Sequence, residues 1–283
     1  MRPADGATFK AYEIEEQADV YFFRPAGMLL ARAARHLRLT PTAVTLAGAA
    51  VGVVGGALLA LEHLALCGVA LILVHSILDS SDGQLARMTG QVSERGRILD
   101  GVSGYVTHAA IYAAILVGSA ATAGASLLVP WAALAGVANI VHAQMYDYHR
   151  GEYMRFAIAG VTAPESSSSR PHAGLLMRVV SVYEAGQRRL AGRHPQVARA
   201  IETRAVSGIV RPEDRARYRA CFYRPVRGWN LLGDNTRFYA IGVFAWLHHL
   251  EWFVTFVLVP MNVALVALWL WQARADRRFL AGL

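Results

Sequence analysis

The chain has 283 residues, 55% of them hydrophobic, with a mean hydropathy of +0.32 and a formal net charge of +8. Its apolar residues cluster in runs of about 20, the length that crosses a bilayer, whereas soluble domains are usually nearer 45–50% apolar with roughly even spread. An ordinary soluble domain is therefore excluded, and an all-α, polytopic membrane protein with membrane lipids as partners is expected.

Residues 1–20 hold Glu13, Glu15, Glu16 and Asp19 and lack an apolar core, so no cleavable signal peptide is expected. In the first 41 residues the run from Tyr21 to Leu39 places Leu29, Leu30, Ala33, Ala34 and Leu37 on one helical face. That spacing suits an amphipathic helix in the membrane interface. Thr40 and Pro41 read as N-cap and first residue of a span over 42–61, whose Gly48 and Gly52 allow close helix contact. Further spans are expected at about 64–87, 98–122 and 127–149, so that residues 42–150 form a four-span block. Residues 151–236 change character, with 14 arginines against seven acidic residues and a linker-like run at Ser166–Ser169. Leu175, Leu176, Val179, Val180 and Tyr183 define one amphipathic helix there, and Pro212-Glu213-Asp214 opens another. This insertion reads either as a surface helical subdomain or as a loose basic loop. Two more spans at 237–250 and 252–272 complete six within a closing segment of 237–283.

No Lys or Arg occurs in 39–86, 98–149 or 238–273. With six spans, every basic residue then falls on one side, which the positive-inside rule places in the cytoplasm. A bacterial inner membrane is the expected location, and the net charge is assigned to this bias and to anionic lipid, so nucleic acid is not an expected partner. Lys10 is the one lysine among the 28 basic residues. Cys67 and Cys221 fit neither a disulfide framework nor a metal spacing and read as packing residues.

The chemistry is concentrated between His75 and His108. Asp79 and Asp82 stand three apart near the end of the second span, Asp100 opens the third, and the loop between them carries Arg95 and Arg97. Ionisable groups in membrane segments are costly and mark function by default. Hard cations prefer carboxylate oxygens, and Mg²⁺ shares its shell with substrate phosphates. Gly83, Ala86 and Gly96 leave space beside the acids, while Arg87 is suited to a phosphate oxygen. A phosphate-handling, divalent-cation site of this kind needs little beyond charge and positioning to transfer a phosphoryl group.

The string D-S-S-D-G-Q-L-A-R, eight residues, then G-R-I-L-D resembles the signature of the CDP-alcohol phosphatidyltransferases, D-x-x-D-G-x-x-A-R followed by G-x-x-x-D-x-x-x-D. Asp79, Asp82, Gly83, Ala86, Arg87, Gly96 and Asp100 match in type and spacing. The resemblance implies that Asp79, Asp82 and Asp100 hold metal, two Mg²⁺ or Mn²⁺ ions. It places Asp79, Gly83, Ala86, Arg87 and Gly96 at the nucleotide, with Asp100 and Arg87 acting in catalysis. It further implies transfer of a phospho-linked group from a CDP-linked lipid donor to an alcohol acceptor with release of CMP, and a homodimer.

The fourth acid of the pattern falls on Gly104. That family position serves as proposed general base and metal ligand, and glycine can do neither. His108, one turn on, is a candidate substitute base, with packing between helices as its plainer role. His142 and Asp147 on the fourth span are further candidates or else interfacial hydrogen-bonding groups, His75 is either a partner that supports Asp79 or a structural residue, and Asn235 is a polar contact or a cap. A phosphate on the acceptor could also take the proton. A family homologue that binds CDP-lipid with little or no turnover remains the alternative.

Overall fold

The computed structural model describes residues 12–119, 125–163 and 175–283. Among these the chain is helical, with isolated bridges at Val161–Ile209 and Val206–Ile209 in place of strands. Eleven α-helices are described: α1 (Arg24–His36), α2 (Pro41–Leu58), α3 (Ala65–Thr89), α4 (Glu94–Gly118), α5 (Ala125–Tyr153), α6 (Leu175–Leu190), α7 (His194–Arg204), α8 (Pro212–Trp229), α9 (Asp234–Trp246), α10 (Trp252–Phe256) and α11 (Asn262–Ala281).

Five stretches are long and apolar enough to cross a membrane: Pro41–Leu58, Glu62–Thr89, Glu94–Gly118, Leu128–Ala159 and Trp252–Ala281. The protein is accordingly a multi-pass membrane protein. The span expected at 237–250 forms α9, whose 13 residues reach about 20 Å at 1.5 Å per residue, less than the roughly 30 Å hydrocarbon core. Its helix stops at Trp246, and His248 turns the chain with a left-handed φ of +59°.

The chain divides into two compact units, Met1–Val137 with Asn235–Leu258 and Ala138–Asp234 with Val259–Leu283. In the first, the Thr40 hydroxyl accepts from the Ala43 amide at 3.2 Å and Pro41 follows as the first helical residue, the N-cap arrangement expected of this sequence. The glycines of α2 face two neighbours at once. A Cβ on Gly55 would lie 2.9 Å from the Gly68 carbonyl oxygen of α3, and one on Gly56 would lie 2.8 Å from Ala110 Cβ of α4. Helices that gain nothing from water exclusion against lipid rely on such close backbone approach.

Helix α1 rests on α3 through small residues. Gly27, Ala31 and Ala34 are buried, and a Cβ on Gly27 would come within 2.8 Å of Ser80 Oγ. Ala31 and Ala34 join Val44 and Leu85 in one apolar cluster. Of the face expected to be apolar, Leu29 (67%) and Leu37 (68%) stay exposed. The helix thus carries two apolar sides, one of small residues against protein and one of leucines against its surroundings.

In the second unit the described residues of the insertion are mostly helical. Pro212 opens α8 as expected, and α6 covers the amphipathic stretch beginning at Leu175. Ser166–Ser169, expected as a linker, lie outside the described residues. Helix α8 packs along α11, where a Cβ on Gly228 would meet Leu268 at 2.8 Å and Trp271 at 3.0 Å. Beside them lies a buried polar network. His194 Nδ1 donates to Asp276 Oδ1 at 2.8 Å, His194 Nε2 lies 2.9 Å from the Tyr218 hydroxyl, and Gln272 donates to Asp276 at 3.1 Å while accepting from Trp229 Nε1 at 3.2 Å.

Candidate functional site

The last turns of α3 and the first turns of α4 carry the motif. Gly90, with a φ of +68°, ends α3, and its amide donates to the Ala86 carbonyl. Only glycine adopts that backbone readily. Ser93 then caps α4, its hydroxyl accepting from the Gly96 amide at 3.0 Å. A side chain at Gly96 would press on that hydroxyl from 3.1 Å, so this glycine serves the helix start. The short link between two capped ends brings Asp100 and Arg87 into the same neighbourhood as Asp82.

Asp82 is the buried acid of the set, 5% exposed. Its Oδ2 accepts a 2.5 Å hydrogen bond from Thr45 Oγ1 on α2, and that hydroxyl also lies 3.1 Å from the Pro41 carbonyl. The Gly83 amide provides a further hydrogen bond to the carboxylate. Asp79 stands exposed and Asp100 half-buried. Among the described residues no three His, Cys, Asp or Glu side chains close into a metal-holding cluster, so the expected three-acid convergence is not seen. The donor chemistry nonetheless fits a hard cation. Mg²⁺ is ordinarily held by one or two carboxylates, with waters and substrate phosphates completing its shell. Asp82 and Asp100 supply such a pair within electrostatic reach of one another.

Arg87 is half-buried and shares its field with Arg24, Glu15 and Asp82. Glu15 is buried and bridges to Arg24 at 3.2 Å, and Gln84 Nε2 donates to the Arg24 carbonyl at 3.0 Å. The site therefore has two guanidinium groups and two carboxylates at its N-terminal edge, with α1 forming a wall. Gly83 leaves room beside Arg87, because a Cβ there would meet only Nη1, at 3.4 Å. Ala86, half-buried, lies between them on α3.

The remaining candidates have definite places. His75 donates from Nδ1 to the Gly48 carbonyl at 2.9 Å, and a Cβ on Gly52 would meet its ring at 3.0 Å. It therefore ties α3 to α2. His108 donates from Nδ1 to the Gly104 carbonyl at 3.0 Å and stacks on Phe238 with centroids 5.6 Å apart. That is the packed arrangement of the two roles considered for it. Around Gly104 itself the space is open, with no atom beyond the adjoining backbone of its own helix within 4 Å of where a Cβ would stand. Asn235 donates to Glu16 at 2.9 Å and Asp19 at 3.3 Å, anchoring the start of α9 to the N-terminal segment. His142 and Asp147 belong to the second unit, where His142 Nε2 lies 3.2 Å from Asn262 Oδ1.

Thr45, Glu15 and Arg24 are site residues that motif spacing does not announce. Thr45 carries a visible signal all the same, a hydroxyl within an apolar span one helical turn past Pro41. Glu15 and Arg24 carry none, since they lie more than 50 residues from the motif and meet it only through the packing of α1.

A family model described as CDP-alcohol phosphatidyltransferase matches residues 38–183, just over half of the chain. Neither a curated protein nor a solved structure matches it significantly.

Proposed function

The chain belongs to the CDP-alcohol phosphatidyltransferase family, and from that premise we propose that it moves a phosphatidyl or similar phospho-group from a CDP-activated lipid to an alcohol, releasing CMP, in phospholipid synthesis. The observation that carries this reading is the Asp82 carboxylate, buried and held by Thr45 beside Asp100 and Arg87. A buried acid with a fixed orientation, within electrostatic reach of a second acid and a guanidinium, suits a charged phosphate group that arrives with its own cation.

In this reading Asp82 and Asp100, joined by exposed Asp79, hold one or two divalent ions, Mg²⁺ or Mn²⁺. The bound cations would neutralise pyrophosphate charge as Lewis acids. Arg87, with Arg24 behind it, holds a phosphate oxygen through its planar fork of donors. Gly83, Ala86 and Gly96 leave the nucleotide its approach. The acceptor hydroxyl needs a proton acceptor that Gly104 cannot provide, and the open space beside it is where an acceptor carrying its own phosphate fits. The site faces the cytoplasm of a bacterial inner membrane in this proposal, and the working form is a homodimer.

The test is CMP release by the purified full chain given CDP-diacylglycerol, Mg²⁺ and a panel of alcohols and phosphorylated alcohols. Release that stops with EDTA and in Asp100→Asn supports the proposal. Tight CDP-diacylglycerol binding with no release from any pair would instead favour a binding homologue, the reading that Gly104 motivates.

A further inference from the structure

A concave site lies wholly within the second unit, in the groove between α8 and α11, with a volume of about 630 Å³. Trp271, Arg274, Ala275 and Arg278 lie along one stripe of α11, at i, i+3, i+4 and i+7. Cys221 and Arg224 face them from α8. Small residues, Ala220 and Ala275, leave the floor open, and the tight contact of Gly228 with Leu268 and Trp271 holds the helices together at one end.

Three guanidinium groups therefore converge from two helices, and all three side chains are exposed. Among the described residues none of Arg224, Arg274 and Arg278 pairs with a carboxylate. The acid nearest in sequence, Asp276, points the other way, buried and bound to His194 and Gln272. Burial pushes the Cys221 thiol above its ordinary value, so no anion stands in the groove. Ordinary flanking charge on a membrane helix is spread around the helix ends. Convergence of unpaired arginines on one cleft is a different arrangement, and it raises the local positive potential.

The depth of the groove identifies the source of its ligand. Along α11 the exposed residues run Val263, Val266, Trp269, Leu270 and Trp271, then give way to Arg274, Arg277 and Arg278. Tryptophan at the boundary followed by arginine marks the level of lipid headgroups. A phosphodiester at that level presents the planar oxygens that arginine binds in pairs, and basic clefts between helices at this depth suit anionic headgroups.

We infer that the α8–α11 groove binds the phosphate headgroup of an anionic membrane phospholipid, with its acyl chains along the apolar face of α11. The site is separate from the acid-bearing motif and is occupied by lipid whether or not that motif is turning over. A free phosphate ester would satisfy the same guanidinium groups, and the test separates the two.

Full-length protein in neutral detergent is incubated with phosphatidylglycerol or phosphatidylcholine, and retained lipid is counted by native mass spectrometry. Phosphatidylglycerol is expected to be retained about tenfold over phosphatidylcholine. The Arg224→Gln/Arg274→Gln/Arg278→Gln variant should lose that preference, while Arg277→Gln keeps it. Independently of any variant, phosphatidylglycerol should slow maleimide labelling of Cys221, read by peptide mapping, and phosphatidylcholine should not. Equal retention of the two lipids, or unchanged Cys221 labelling, overturns the inference. Displacement by millimolar inorganic phosphate overturns the lipid assignment in favour of a soluble phosphate ester.

Discussion

Thr45 Oγ1 lies 2.5 Å from Asp82 Oδ2, joining the first apolar helix of the chain to the buried acid of the motif across 37 residues of sequence. Both side chains are buried, and a hydrogen bond away from water is electrostatically stronger than one in it. The contact fixes which way the carboxylate faces, so the geometry of the cation proposed at Asp82 would depend on a residue outside the motif.

Thr45→Val keeps the shape of the side chain and removes the donor. Loss of a partner to a ligating carboxylate typically costs 10–100-fold in metal affinity or activity, and a loss of about that size is expected here. A titration of CMP release against Mg²⁺ should show the curve moving to higher concentration. An unmoved curve would mean that Thr45 serves α2 packing alone.

Gly104→Asp should fold as well as the parent, because beyond the adjoining backbone of its own helix no atom stands within 4 Å of the added Cβ. General-base catalysis is worth roughly 10²–10⁴-fold, so CMP release is expected to rise by at least about tenfold. Equal rates in the two proteins would show that the proton already has an acceptor.

The glycines of the helix contacts should respond very differently from Gly104. Gly52→Val would drive a methyl-bearing carbon into Thr107 and the His75 ring, and overpacking of this kind costs about 1–3 kcal/mol. The unfolding midpoint in detergent should fall for Gly52→Val and for Gly27→Val. Gly101→Ala, which meets nothing within 4 Å, is the matched control and should leave the midpoint in place.

In the second unit, His194→Ala leaves the buried Asp276 carboxylate without its 2.8 Å donor. Removing one partner of a buried pair costs about 3–5 kcal/mol. A lowered unfolding midpoint is expected, with faster proteolysis in 194–229, the segment that this network ties to α11. Wild-type resistance in that segment would contradict a holding role for the network.

Much of the fold was legible along the chain. The apolar runs announced most of the spans, Thr40 and Pro41 the start of α2, and Pro212 that of α8. The exception at 237–250 is instructive. Hydropathy alone cannot see that the backbone turns over at His248, which shortens α9 to 13 residues. The insertion could be read two ways because its apolar positions are few, and α7 and α8 take their support from α11, far away in sequence.

Residue type and spacing by themselves determined the family and the motif, because Asp79, Asp82, Gly83, Ala86, Arg87, Gly96 and Asp100 stand on two adjacent helices whose local geometry follows from sequence separation. Tertiary structure decided the rest. It buried Asp82 but left Asp79 exposed, brought Thr45, Glu15 and Arg24 to the site, and turned His75 and His108 toward backbone carbonyls. Those outcomes depend on which helix faces meet, and glycine placement along α1, α2 and α3 sets how closely those faces approach. Such contacts join residues distant in the chain, so no local pattern encodes them.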